Sequence, residues 1–190
     1  MQQNALSRMS ETEYLEMEGQ SPVRHELVGG QAYAMAGASV RHNRIAGRLY
    51  ASLLAKSPRS CQVLIGDVKL KADDWPTYYY PDVMLVCDPD DNDPLVKTRP
   101  CLLAEVLSPN TEATDRREKL VAYQHLPSLR EYLLIAQDEM RVELYRRLNP
   151  RDWVLEIHSP GDVLRLACVD MELPIEALYD GLELPISTMN

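Results

Sequence analysis

The chain has 190 residues, 45% of them hydrophobic, which suits one domain with a substantial core and excludes a disordered chain. A formal net charge of −9 argues against a broad electrostatic attraction to nucleic acid, because backbone binding rests on Lys and Arg meeting phosphates. No stretch approaches the roughly 20 consecutive apolar residues of a membrane helix, and the polar start Met1-Gln2-Gln3-Asn4 lacks the regions of a signal peptide, so no membrane association and a cytoplasmic location are expected.

In chain order, Ser10-Glu11-Thr12-Glu13 fits a capping box and opens a short helix through about Met17, closed by Gly19 and Pro22. Val23 to Val28, Gly29-Gly30 and Gln31 to Met35 read as a hairpin with a two-residue turn. A helix near Val40 to Ala55 follows Gly37. The run from Cys61 to Lys71 is strand-like, and Asp73-Asp74-Trp75-Pro76 breaks it. Next come a strand around Asp82, an acidic loop with Asp88, Asp90, Asp91 and Asp93 read as a solvated turn, and a strand around Glu105. Ser108-Pro109-Asn110-Thr111 leads into a helix from about Glu112 to Leu126, stopped by Pro127. Arg130 to Ala136, Met140 to Leu148, Trp153 to His158 and Val163 to Val169 are further strands, and Pro174 to Tyr179 a final short helix. The pattern predicts a mixed α/β or α+β domain, residues 1–190, alternating around one sheet, with 1–9 and 186–190 as disordered tails. Cys61, Cys87, Cys101 and Cys168 lie far apart with no Cys-x-x-Cys pair, which predicts reduced, buried thiols.

Two carboxylates stand where a core would rather have none: Asp82 in Tyr79-Tyr80-Pro81-Asp82-Val83-Met84-Leu85-Val86, and Glu105 in Cys101-Leu102-Leu103-Ala104-Glu105-Val106-Leu107. An isolated ionised carboxylate is costly to desolvate unless a cation or hydrogen-bond donors meet it, so a pair in nearby strands points to a metal site. On the following helix, a 100° step per residue places Ala122, Tyr123 and Leu126 within about 60° of Lys119, which turns Lys119, and Asp115 one turn earlier, toward the sheet. The plainer reading of Asp115 and Lys119 is an exposed i, i+4 pair, but such a pair belongs on the polar face. His42 shares a face with Ile45, Ala46 and Leu49, where a lone histidine is more often a hydrogen-bonded core residue than a base. Glu26, on the opposite side of its strand from Leu27, reads as solvent-facing. Arg41, Arg44 and Arg48 form a basic stripe, solvated by default but able to hold phosphates. The absence of Gly-x-x-x-x-Gly-Lys, Gly-x-Gly-x-x-Gly and Gly-x-Ser-x-Gly removes the usual support for nucleotide-binding and serine-hydrolase readings.

Pro81-Asp82 with Glu105 23 positions further on, and a lysine nearby, resembles the PD-(D/E)XK nuclease superfamily. The ordered set His25-Glu26-Leu27-Val28-x-Gly30, His42, Tyr80-Pro81-Asp82-Val83, Glu105-Val106-Leu107-Ser108-Pro109-Asn110-Thr111 and Asp115-x-x-x-Lys119-x-x-x-Tyr123 is similar to the Uma-type family of restriction endonucleases, over Tyr14 to Tyr179. One departure from the superfamily is Leu107, where a lysine two residues after the acid is expected; Lys119 is the candidate to supply that charge.

The resemblance implies a restriction-endonuclease-like mixed sheet with flanking helices and a site of Glu26, Asp82, Glu105 and Lys119 at the sheet edge. Asp82 and Glu105 would hold Mg2+ or Mn2+, Lys119 would stabilise developing charge, Glu26 would add a ligand through water or hold the lysine, and His42 would orient phosphate or water. DNA is the implied substrate and a homodimer the implied assembly. Two other readings compete: a non-catalytic nuclease-fold binding protein whose carboxylates and lysine form a structural network, and a hydrolase of another phosphoester.

Overall fold

The computed structural model describes residues 8–73, 77–109 and 111–185. The element order is α1 (Glu11–Gln20), β1 (His25–Val28), β2 (Gln31–Ala34), α2 (Val40–Lys56), β3 (Gln62–Ile65), β4 (Lys69–Asp73), β5 (Thr77–Tyr79), β6 (Val83–Val86), β7 (Val96–Lys97) and β8 (Leu102–Val106). A three-part helix follows: α3 (Glu112–Thr114), a π-helical turn (Asp115–Lys119) and α4 (Leu120–Gln124). Then come β9 (Glu131–Ile135), β10 (Val142–Arg147), β11 (Trp153–His158), β12 (Val163–Leu166), β13 (Met171–Pro174) and α5 (Ile175–Tyr179).

The strands form three sheets rather than the expected one: β2-β1-β5-β4-β7, β11-β10-β9-β8-β6-β3, and the pair β12-β13. The reason is local. Gly66, at φ +64°, donates its N–H to the Asp82 carbonyl at 3.0 Å and splits the Cys61–Lys71 run, so that β3 joins one sheet and β4 another. Between β5 and β6, Tyr80-Pro81-Asp82 crosses from the first sheet to the second. Pro81 cannot donate to a ladder, which suits a crossing point.

In the six-stranded sheet β8 is central, antiparallel to β6 and parallel to β9. A parallel pair needs a crossover, and the 112–124 helix supplies it, covering one face of the sheet. Beneath it Leu103, Leu107, Met84, Tyr132 and Leu134 pack against Tyr123 and Leu126. The opposite face takes α2 through Ile45, Ala46, Leu49 and Leu53, packed with Val83, Leu85, Ala104 and Val106. Alternation along a strand thus puts Glu105, between Leu103 and Leu107, on the crossover-helix side.

The N-terminal region follows its sequence signals. Ser10 and Glu13 make a reciprocal capping box on α1, which runs past Gly19 to Gln20, further than Met17. Gly29 and Gly30, both at positive φ, form the β1–β2 turn. A Cβ on Gly30 would lie 2.6 Å from the Arg8 Cβ, so that position needs glycine for space as well as for conformation. Met9 donates its N–H to the Gly30 carbonyl at 2.8 Å and packs beside Tyr14, Leu27 and Tyr78. Arg8 and Met9, within the tail expected over 1–9, thus pack on the hairpin; residues 1–7 and 186–190, where the rest of the expected tails fall, lie outside the described residues, as do Asp74, Trp75, Pro76 and Asn110.

Two further expectations are corrected. The acidic loop is not simply solvated: Asp91 is buried, and its carboxylate accepts the N–H groups of Thr98 and Arg99 at 2.9 and 2.7 Å, fixing the approach to β7. The cysteines are not free thiols. Gln62 pairs with Val86, which brings Cys61 opposite Cys87, and these two form a disulfide, as do Cys101 and Cys168. Register and tertiary approach, invisible in sequence spacing, decide this.

The bridges close loops with sequence separations of 26 and 67 residues. In the chain-entropy account each contributes about 3–5 kcal/mol. Denaturation without reductant is therefore expected to leave all four cysteines refractory to iodoacetamide, and reduction to lower the melting temperature. Four alkylated cysteines in the unreduced protein would contradict the pairing.

Candidate active site

Asp82 and Glu105 come together because their strands pair. The register Val83↔Ala104, continued by one residue, sets Asp82 opposite Glu105. Asp82 Oδ2 accepts the Val106 N–H at 2.7 Å; since that nitrogen is one carbonyl carbon from the Glu105 Cα, the Asp82 carboxylate lies within about 6 Å of the Glu105 backbone. The same Oδ2 stands 3.1 Å from Nε2 of His42, projected from the first turn of α2, whose N-cap is Ser39. Burial pulls the His42 pKa down, but the Asp82 hydrogen bond and its negative charge outweigh this, and the imidazole is raised above its ordinary value.

Lys119 descends from the crossover helix into the middle of the acids. Its Nζ is 3.0 Å from Glu26, 3.1 Å from Glu105 and 3.2 Å from Asp115, and 5.5 Å from the centroid of the Tyr79 ring. The side chain is 6% exposed. Burial alone would depress the ammonium pKa, yet the charges of Glu105, Glu26 and Asp115 overcome it and hold the group charged. Asp115 and Lys119 bound the π-helical turn, a feature that often marks functional positions.

Glu105 is the most deeply placed acid. Its Oε1 accepts from Lys119 at 3.1 Å and from the Tyr123 hydroxyl at 2.9 Å. Burial raises its pKa well above the ordinary carboxylate value; Lys119 opposes the rise, and Asp115, Asp82 and Glu26 add to it. Burial raises Asp115 as well, against the pull of Lys119. Glu26 Oε1 and Asp115 Oδ1 are fully buried and, although near Nζ, lack an aligned hydrogen bond among the described residues. Their compensation is ionic.

These groups line a cavity of about 480 Å³, whose other walls come from residues 33–39, Tyr80, Ser108, Pro109, Thr111, Thr114 and Gln137. Every site residue expected from the sequence, Glu26, His42, Asp82, Glu105 and Lys119, lines it. Glu26 is the one placed against its plainer reading, because the face it shares with Val28 meets the crossover helix rather than water. Asp115 also belongs to the cluster, although an exposed pair was the competing reading. Tyr123 was legible as a member of the Lys119 face and of the motif shared with the family, though not as a partner of Glu105, and the 33–39 wall carried no sequence signal of a site. Leu107 is buried in the core under the helix, and the cation that meets Glu105 is Lys119 on the helix above.

The donor set fits a hard divalent cation. Glu26, Glu105 and Asp115 surround one ammonium and Asp82 meets the imidazole of His42, so the cluster holds more acidic than basic groups. Asp82 Oδ1 and Glu105 Oε2 make no hydrogen bond among the described residues. No three His, Cys, Asp or Glu side chains among those residues converge into a cage by themselves. That is compatible with Mg2+, which is typically held by one or two carboxylates with waters and substrate phosphate completing the shell.

The fold is matched by a crystal structure of a protein from Anabaena variabilis ATCC 29413 described as a "putative nuclease belonging to DUF820", with a TM-score of 0.72 over 88% of this chain and 95% of that one, at 16% identity. Mixed sheets, flanking helices and this likeness define the class as a mixed-sheet α+β fold shared with that protein. The family model Uma2, described as "Putative restriction endonuclease", matches residues 12–176, and the chain belongs to that family. Two Synechocystis proteins, named only as uncharacterized proteins slr1290 and sll1609, are 35% identical over 92% of this chain and 93% of theirs, and 36% identical over 77% and 85%. No helix among the described residues is long and apolar enough to cross a membrane.

Proposed function

We propose that the protein is a metal-dependent nuclease that hydrolyses phosphodiester bonds in DNA, with Asp82 and Glu105 holding Mg2+ or Mn2+. The observation that carries this reading is the excess of acid around one buried ammonium in a cavity open to solvent. A bound divalent ion would supply Lewis-acid polarisation of the phosphate and a water of lowered pKa. Lys119, held in place by Glu26 and Asp115, would donate to the developing charge on the phosphate oxygens. His42, oriented by Asp82, would hold a water or a phosphate oxygen at the cavity wall. As a homodimer, the protein would use the free edge of β11, where Val154, Leu155 and Ile157 stand exposed; its mass in solution is the check.

The raised Glu105 pKa gives the reading a pH signature. A carboxyl group with a raised folded-state pKa stabilises the protein below its unfolded value of about 4.5 and loses that contribution as pH rises through the folded value. A metal takes the proton's place, so Mg2+ affinity is expected to rise with pH and binding to release protons. Calorimetry in buffers of different ionisation enthalpy reads this directly, alongside cleavage of plasmid and single-stranded DNA. Absence of both metal binding and cleavage would sink the proposal.

A second reading, a non-catalytic nuclease-fold protein, is favoured by the closed network in which Lys119 compensates Glu26, Glu105 and Asp115 without a metal. Glu105→Gln separates the two. A metal site relieved of excess charge gains stability in metal-free buffer, whereas a structural network loses it.

A further inference from the structure

We infer that the cavity takes an unpaired nucleotide strand, with a base stacked on Tyr33, rather than an intact duplex; this rests on the nuclease reading above. Tyr33 pairs across the β1–β2 ladder with Glu26, so both side chains rise from the same face, with their Cβ atoms about 5 Å apart. Tyr33 is 52% exposed, and its hydroxyl donates to Gln31 Oε1 at 2.7 Å, a contact that orients the ring. β2 is the outer strand of its sheet, so no strand covers the far side.

The wall that continues from Tyr33 through Ala34, Met35, Ala36, Gly37 and Ala38 carries no charge, while Glu26, across the ladder from Tyr33, belongs to the acids around Lys119. A ligand matching both surfaces has a flat apolar group and, next to it, a phosphate carried by a cation. A nucleotide has both. The cavity, about 480 Å³, lies in the range that takes one small ligand, roughly 300–1,000 Å³.

Duplex tracking requires a run of free basic groups along the backbone. Among the described residues, the only lysine or arginine lining this cavity is Lys119, already surrounded by acids. On the α2 stripe Arg41 is paired to Asp138 at 2.8 Å and Arg48 to Asp180 at 3.3 Å, which leaves Arg44 as a single cation without an ion pair among the described residues rather than a run. Arg116, beside the entrance to the crossover helix, is held by Glu112 and Glu143. In an intact duplex the bases are paired and stacked on one another, so only an unpaired base can lie on Tyr33, and base–aromatic stacking is a recurrent part of single-strand binding.

The test uses the full chain with Ca2+ as the divalent ion, and compares a single-stranded octanucleotide containing 2-aminopurine with its duplex. The expected result is tighter binding of the single strand, quenched 2-aminopurine fluorescence, and a loss of about 10- to 100-fold in Tyr33→Ala, restored in Tyr33→Phe. Tyr33 is a surface residue, and Ca2+ affinity measured in parallel is expected to be unchanged in both variants. Equal or tighter duplex binding, or wild-type affinity in Tyr33→Ala, overturns the inference while leaving the nuclease reading intact. Ca2+ binding with no oligonucleotide binding at all overturns both.

Discussion

Replacing Lys119 with methionine is expected to cost about 3–5 kcal/mol of stability at pH 8 in metal-free buffer, the penalty of leaving buried carboxylates without their counter-charge. The methionine fills most of the volume, so the loss is electrostatic rather than a cavity effect. Glu26, Glu105 and Asp115 all meet the one ammonium, and Glu26 Oε1 and Asp115 Oδ1 have no aligned hydrogen bond to fall back on. Because burial already raises Glu105 and Asp115, lowering the pH protonates them and shrinks the deficit. Urea unfolding at several pH values reads both effects. A deficit under about 1 kcal/mol that does not vary with pH would show that Lys119 is not the charge centre described here.

Asp82→Asn is expected to leave the fold in place and to remove function. Asparagine keeps a carbonyl oxygen for the Val106 N–H, so the β6 end can retain its hydrogen bond. What is lost is the negative charge that draws His42 into position at 3.1 Å and that, in the proposed function, would help hold the cation. Changes in groups that only support metal ligands commonly cost 10–100-fold, so loss of a ligand itself is expected to lower Mg2+ affinity and cleavage by at least about 100-fold. Full cleavage activity in this variant would remove Asp82 from the machinery.

Much of the site was readable because its signals are local. Asp82 and Glu105 stand out as acids within apolar strands, and the inward angle of Lys119 follows from helical periodicity alone. The capping box at Ser10 and the Gly29-Gly30 turn are likewise written in a few adjacent residues. What was not readable depends on which strand lies beside which. Cys61 meets Cys87 only through the β3–β6 register, and Glu26 turns inward only because a helix from 90 residues later covers its face. The division into separate sheets hinges on Gly66, a single positive-φ residue inside an otherwise strand-like run. Asp91 looked solvated because its partners are backbone N–H groups seven and eight residues further on, which no side-chain pattern reveals.

Anomalous X-ray scattering from a crystal soaked in Mn2+ tests the central claim most directly. A peak within coordination distance of both the Asp82 and Glu105 carboxylates, with Lys119 beside it, is the expected result. Mn2+ found only elsewhere on the surface, with the Lys119 cluster closed upon itself at metal concentrations that saturate the protein in solution, would contradict the account.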